Sequence, residues 1–370
     1  MNRRREWCAG FDLFTACYDF RMAPNVDVTP GHAFLNASRA LIETAYANGG
    51  NRRVYLLAHS NGGPMAQALL LSQPQGWRDK HVAGLVSYAG NWAGQGSFAQ
   101  FLFTGLSFTD YSTWRPEAAQ VLQTWPAVYF SMAQPEVYAD SEVIIAAANK
   151  TYTPADYDVR RERTGCAEDC LAERCVGFVG AQELFADAGL RQAAKLFPLF
   201  NAVVQPSQAP HVHVYSFYGS NLKTQVGSEL PRLKQGVVPV GGIFAEGDGD
   251  QESADNESNF GWKAAMRCHH FEAIEMAGTS HLMLPFTLQA MRQTLQIVRT
   301  ERGSPCLRGE VQAGLETAAH IRAKLGAAAG GAWGQIGRRG GTRVNGGEEE
   351  RIPFRRKRWR WIRGRSHWFV

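Results

Sequence analysis

The apolar positions fall into runs of two kinds. Residues 54–58 (VYLLA), 82–89 (VAGLVSYA), 211–218 (HVHVYSFY) and 271–276 (FEAIEM) are short and rich in β-branched and aromatic residues, and they predict strands. A further strand is predicted over 11–20 (FDLFTACYDF). Residues 33–48, 63–73 and 284–299 instead carry helical patterns; in the first, Phe34, Leu35, Ala37, Leu41, Ile42 and Tyr46 share a face. Strands alternating with helices predict an α/β fold, a mostly parallel sheet with covering helices. Residues 91–205 break the rhythm with Gly- and aromatic-rich stretches, as an inserted cap would. The predicted organisation is a first core part over 1–90, a cap over 91–205, a second core part over 206–302 and a low-complexity basic tail over 303–370.

At residues 58–62 (AHSNG) a strand gives way to an apolar helix at a serine flanked by small residues. That is the pattern of a nucleophile elbow, G-x-S-x-G, with Ala58 for the first glycine. It makes Ser60 the candidate nucleophile and the backbone amide of Asn61 a candidate oxyanion donor. A serine nucleophile needs a base and a group to orient it. His281, in GTSHL just after the run FEAIEM, stands where the base belongs in a Ser, acid, His chain order. The stretch EGDGDQES at 246–253 supplies two candidate acids, Asp248 and Asp250. A calcium loop counted from Asp248 would need Gly at Ser253 and Glu at Asn259, and is rejected.

Charge changes the picture little. Residues 301–370 carry 15 Lys and Arg against 6 Asp and Glu, a net +9 within a whole-chain +5, which leaves residues 1–300 at −4. The body is mildly acidic, so no nucleic-acid partner is expected. The Arg/Trp-rich end reads as a solvated tail, with an anionic membrane surface as the functional rival. No stretch reaches the roughly 20 apolar residues of a membrane span, and no signal peptide is read near the start. The cluster Cys166, Cys170 and Cys175 lacks C-x2-C spacing and suggests a disulfide rather than zinc. The candidate site calls for no metal and no cofactor. Three glycosylation sequons begin at Asn36, Asn149 and Asn256.

Several stretches, taken in order, resemble the lecithin:cholesterol acyltransferase family, which includes phospholipid:diacylglycerol acyltransferases and lysosomal phospholipases A. They are YDFRMAP at 18–24, AHSNGG, LVSYAGNWAGQGS, Trp125-Pro126, YTPAD at 152–156, PHVHVYSFYGSNLKT, GDGDQES and TSHLMLP. The resemblance covers about residues 10–300. It implies an α/β-hydrolase-like fold and a triad of Ser60, Asp250 and His281, with Asp250 chosen because Gly249-Asp250 matches the start of the family's G-D-x-T-V acid motif. It implies acyl transfer from a phospholipid to a sterol or diacylglycerol hydroxyl through an acyl-serine, or to water in a phospholipase A. A membrane or lipoprotein surface and a secretory, lysosomal or endoplasmic-reticulum location follow from the same resemblance. It also implies a strand before the YDFR segment, paired beside the elbow strand, whose loop supplies a second oxyanion amide. Here the chain starts almost at that segment, and the expectation is a core with its N-terminal strands missing. A non-catalytic, hydrolase-like lipid-binding protein is the alternative that this implies.

Overall fold

The computed structural model describes residues 13–24, 29–105, 117–138, 142–147, 150–158, 182–201, 206–266 and 268–300. The chain divides into two units, Met1–Gly314 and Leu315–Val370, and every described residue belongs to the first. The tail and the Cys166–Cys175 cluster lie outside the described residues.

The first of two sheets is parallel throughout. It contains β1 (Val54–His59), β2 (Val82–Tyr88), β5 (Val214–Ser220) and β8 (Phe271–Ala277), in the order β1-β2-β5-β8. Helix α1 (Thr29–Asn48) precedes β1, and α2 (Gly62–Leu71) and α3 (Gln75–His81) supply the crossover from β1 to β2. The second sheet contains β3 (Ile145–Ala147), β4 (Lys150–Tyr152), β6 (Leu222–Leu230) and β7 (Gly241–Gly247), in the order β4-β3-β6-β7. The fold is the expected α/β class, with an α/β-hydrolase-like succession of strand, elbow and helix.

Burial explains why β2 reads as an unbroken apolar run. Leu85 joins one cluster with Leu35 and Ile42 of α1, Leu69 and Leu70 of α2, Trp77 and Trp262. Its neighbour Val86 faces the other way, into a cluster with Tyr88, Tyr215, Phe217, Met276 and Leu284. A strand covered on both faces has no polar side to show. A third cluster, built around Phe101, Phe103, Tyr129, Phe130, Tyr157, Phe185 and Phe197, is the core of the inserted segment. Ile145 of β3 and Leu230 of β6 join it, so the second sheet shares residues from the insertion and from the chain after it.

Two elements differ from expectation. Over 13–20 only Leu13 makes a strand bridge; the rest is irregular and ends in a turn closed by Met22 N–H to the Asp19 carbonyl, 2.9 Å. Apolar content cannot hold a strand without a neighbour to take its backbone groups. The last helix runs over Leu288–Arg299, not from 284, because Pro285 sits in a 3-10 turn (His281–Phe286) and Thr287 caps the helix proper, accepting the Ala290 N–H at 3.1 Å. Among the described residues β1 is an edge strand, with Leu57 57% exposed.

Candidate active site

β1 delivers the elbow. Ser60 has φ +55°, a left-handed conformation that a residue with a Cβ adopts at a cost of about 1–3 kcal/mol. The surroundings enforce it. Ser60 N–H donates to the Tyr88 carbonyl at 3.0 Å, and the Ser60 carbonyl accepts from Gly63 N–H at 2.9 Å and Asn91 N–H at 3.3 Å. Asn61 stands at the N-cap of α2, ahead of the helical hydrogen-bond ladder. Of the two glycines that open α2, Gly63 is the more crowded, where a Cβ would lie 3.0 Å from Gly90 Cα and from the Trp92 ring. At Gly62 it would meet only Ala58 Cβ, at 3.7 Å.

The imidazole and a carboxylate meet beside this turn. His281 Nδ1 lies 3.1 Å from Asp248 Oδ2, and both residues are buried. A carboxylate only accepts, so Nδ1 donates and Nε2 is left as the basic nitrogen. The backbone repeats the contact, with His281 N–H donating to the Asp248 carbonyl at 3.0 Å. The other oxygen of Asp248 accepts from Asp250 N–H at 3.0 Å and Gln251 N–H at 2.7 Å. Glycines permit the convergence: a Cβ on Gly219 would sit 2.3 Å from the Thr279 carbonyl oxygen and 2.7 Å from Asp248 Cβ. Gly249, at φ +98°, makes the turn that returns the chain to Asp248.

Of the two candidate acids, Asp248 and not Asp250 is the one hydrogen-bonded to His281. Asp248 directly follows the last residue of β7 and is fully buried against the imidazole, whereas Asp250 lies two residues on and gives its amide to the Asp248 carboxylate. The sequence holds the signal for this: Gly247-Asp248 begins the same motif as Gly249-Asp250, and a carboxylate immediately past a strand end is the better anchored of the two.

His59 bridges the elbow and the dyad. Its Nε2 donates to the His281 carbonyl oxygen at 3.0 Å, and the two rings lie 4.8 Å apart. Burial, then the neighbouring His281, push its pKa down to about 4, so it is a neutral donor at ordinary pH.

A second tier of buried groups is not singled out by the sequence, although Asn91 and Glu252 lie within the stretches LVSYAGNWAGQGS and GDGDQES. Asp255 accepts the Ala93 N–H at 2.6 Å, and Glu252 accepts the Gly96 N–H at 2.8 Å. Desolvation raises the Glu252 pKa to about 7 and that of Asp255 well above the usual carboxylate range. Asn91 Nδ2 donates to Asn61 Oδ1 at 2.6 Å, and Ser131 Oγ to the same oxygen at 3.2 Å. A mostly apolar cavity of about 280 Å³ lies against the elbow helix, lined by Tyr18, Met22, Phe34, Met65 and their neighbours. Among the described residues no group of three or more His, Cys, Asp or Glu is arranged to hold a metal ion.

Cys17 is an exposed free thiol and Cys268 is disulfide-bonded to a partner outside the described residues. Asn256 is buried, its amide within 3.5 Å of the Gly219 carbonyl, so that sequon offers no acceptor in the folded chain.

Comparison with known proteins agrees with the resemblance to this family. Residues 8–164 match the lecithin:cholesterol acyltransferase family. The phosphatidylcholine-sterol acyltransferase of Rattus norvegicus is 23% identical over 274 residues, covering 74% of this chain and 55% of that protein. Phospholipase A(1) LCAT3 of Arabidopsis thaliana is 27% identical over 232 residues, covering 58% and 49%. The lysosomal phospholipase A and acyltransferase of Homo sapiens is 23% identical over 278 residues, covering 74% and 58%. The chain thus spans about half the length of the curated relatives it matches. Among solved structures, a chain of the Tle4-Tli4 complex overlaps 76% of this chain and 68% of its own length, with a TM-score of 0.43 and 11% identity.

Proposed function

We propose that the chain, whose residues 8–164 match the lecithin:cholesterol acyltransferase family, is a serine-dependent lipid acyl-transfer enzyme with Ser60, His281 and Asp248 as its triad. The observation that carries the reading is the buried His281–Asp248 hydrogen bond, joined through His59 to the elbow whose serine is held at positive φ.

Ser60 Oγ attacks the ester carbonyl of a phospholipid while His281 Nε2 takes its proton. Asp248 keeps the proton on Nδ1 and stabilises the imidazolium that forms. The negative oxygen is met by the Asn61 N–H at the start of α2, where the helix dipole adds favourable potential. His281 then gives its proton to the departing lysolipid oxygen, leaving an acyl-serine. A second hydroxyl, deprotonated by His281, takes the acyl group and restores Ser60. If the acceptor is a sterol or diacylglycerol the product is an ester; if it is water the reaction is that of a phospholipase A.

Apolar surroundings support a lipid substrate. The cavity against α2 suits part of an acyl chain. Leu282, Met283 and Phe286 stand exposed directly after His281, and Leu288, Met291 and Leu295 continue the apolar surface along the next helix. A membrane or lipoprotein surface is the source of substrate that such a flank would meet. Among the described residues no helix is long and apolar enough to cross a membrane. A secretory or lysosomal compartment follows the same family reading.

One observation favours a second reading, a non-catalytic lipid-binding relative. β1 is the edge of its sheet among the described residues, and no described strand lies where the second oxyanion amide would come from. One experiment separates the two. The protein is incubated with a phospholipid carrying a labelled acyl chain, with and without a sterol acceptor. Turnover that disappears in Ser60→Ala supports the enzyme, and the split between labelled ester and free fatty acid assigns the acceptor. Absence of turnover with intact lipid binding supports the rival.

A further inference from the structure

Asn91 grips the elbow at two points. Its backbone N–H reaches the Ser60 carbonyl at 3.3 Å, and its side-chain Nδ2 donates to Asn61 Oδ1 at 2.6 Å. The Ser60 carbonyl and the Asn61 N–H belong to one planar trans peptide and point in opposite directions. Whatever fixes that carbonyl also aims that N–H. Asn91 therefore sets the direction of the candidate oxyanion amide, through the peptide plane and through the side chain beyond it.

Ser131 adds a contact from the inserted segment. It ends the short helix Pro126–Phe130, and its Oγ donates to the same Asn61 Oδ1 at 3.2 Å. Asn91 is 1% exposed and Ser131 is fully buried, so neither has bulk water as a substitute partner. The loop between them is braced from the acid side. Asp255 takes the Ala93 N–H, Glu252 takes the Gly96 N–H, and Gln95 N–H donates to the Ser131 carbonyl at 2.8 Å.

We propose that Asn91 and Ser131 are positioning residues that aim the oxyanion-binding amide of Asn61, and that Ser131 makes the reactivity of Ser60 depend on how the inserted helix sits. This rests on the acyl-transfer reading. The contact joins two regions far apart in sequence: Asn91 lies in the stretch LVSYAGNWAGQGS and Ser131 in none of the stretches that carry the family resemblance.

The test compares the full chain with Asn91→Ala, Asn91→Asp, Ser131→Ala and Ser131→Thr. Three quantities are read: the second-order rate of fluorophosphonate reaction at Ser60, kcat and KM on a soluble ester, and the Asn61 amide resonance by NMR. N91A and N91D lower the phosphonylation rate and kcat about 10- to 100-fold, with KM within about twofold and the pH profile unmoved, because a misaimed donor is worth only part of a lost one. N91D fails like N91A because a carboxylate cannot donate to Asn61 Oδ1. S131A costs about 3- to 10-fold and S131T restores most of it. All four move the melting temperature far less than they move the rate, and the Asn61 amide shifts in the three impaired variants.

Wild-type rates in N91A and S131A, with reactive wild-type protein, overturn the proposal and leave the acyl-transfer reading intact. If wild-type Ser60 does not react, that reading fails first. The NMR arm still decides whether the two residues fix the amide: an Asn61 resonance unmoved in all variants refutes it.

Discussion

Replacing Asp248 by Asn is the sharpest perturbation, because it changes one atom of a fully buried side chain. The Asp248 carboxylate has two separate duties. One oxygen holds the Asp250 and Gln251 amides at 3.0 and 2.7 Å, and the other accepts His281 Nδ1–H at 3.1 Å. Asparagine keeps one oxygen. The two backbone amides require it, which turns the new Nδ2–H2 towards His281. Nδ1 must then act as acceptor, the ring proton moves to Nε2, and the nitrogen that should take the Ser60 proton is already protonated. An isosteric loss of this kind costs about 10⁴ in kcat, or about 5.5 kcal/mol of transition-state stabilisation. The amide bonds survive, so the melting temperature of Asp248→Asn stays within a few degrees of wild type. Asp250→Asn leaves kcat within about threefold, since its amide and not its side chain serves the dyad. The assay is hydrolysis of a soluble ester with thermal melting alongside. Equal losses in the two variants, or a larger loss at Asp250, would refute the assignment.

Ser60→Gly removes both the nucleophile and the strain of φ +55°, so turnover falls by about a million-fold while thermal melting shows the chain unharmed or stabilised by about 1 kcal/mol. Gly219→Ala drives a Cβ to 2.3 Å from the Thr279 carbonyl and 2.7 Å from Asp248 Cβ, parting the His281 turn from its acid. Activity falls at least about 100-fold with destabilisation of roughly 2 kcal/mol, read by kinetics and denaturant melts. Glu252→Gln has a pH signature. A buried carboxyl whose folded pKa is about 7, above its unfolded value of about 4.5, loses stability as pH rises between those values. The variant keeps the acceptor for Gly96 without the charge. Its stability relative to wild type should grow through that window by up to about 3 kcal/mol and level off above pH 7; a gap independent of pH would contradict the assignment.

The legible part of this molecule is the part in which local pattern and tertiary role coincide. β1 and the elbow can be read because strand, small residues and helix succeed one another in the chain. β8 and His281 can be read because the chain order of the site is fixed by the fold. The strand expected over 11–20 fails because pairing is non-local: the same apolar residues pack Tyr18 against Phe34 without a ladder. β6 (LKTQVGSEL) escapes the pattern because half its positions are polar and only its partners β3 and β7 make it a strand. The two candidate acids lie two residues apart because GDGD repeats the motif, and the burial of Asp248 and its bond to His281 separate the copies. The roles of Asn91, Ser131, Glu252 and Asp255 are not legible in the sequence, even where Asn91 and Glu252 fall in stretches that carry the family resemblance, since each acts by a hydrogen bond to residues 30 to 162 positions away.

The central claim is that Ser60 is an activated nucleophile. The most direct test is mass spectrometry of the folded protein after reaction with a fluorophosphonate. The account predicts one phosphonyl adduct, located on Ser60, formed rapidly in the wild type and at least about 1,000-fold more slowly in Asp248→Asn. A folded wild-type chain whose Ser60 stays unmodified, or is modified as fast without Asp248 as with it, would contradict it.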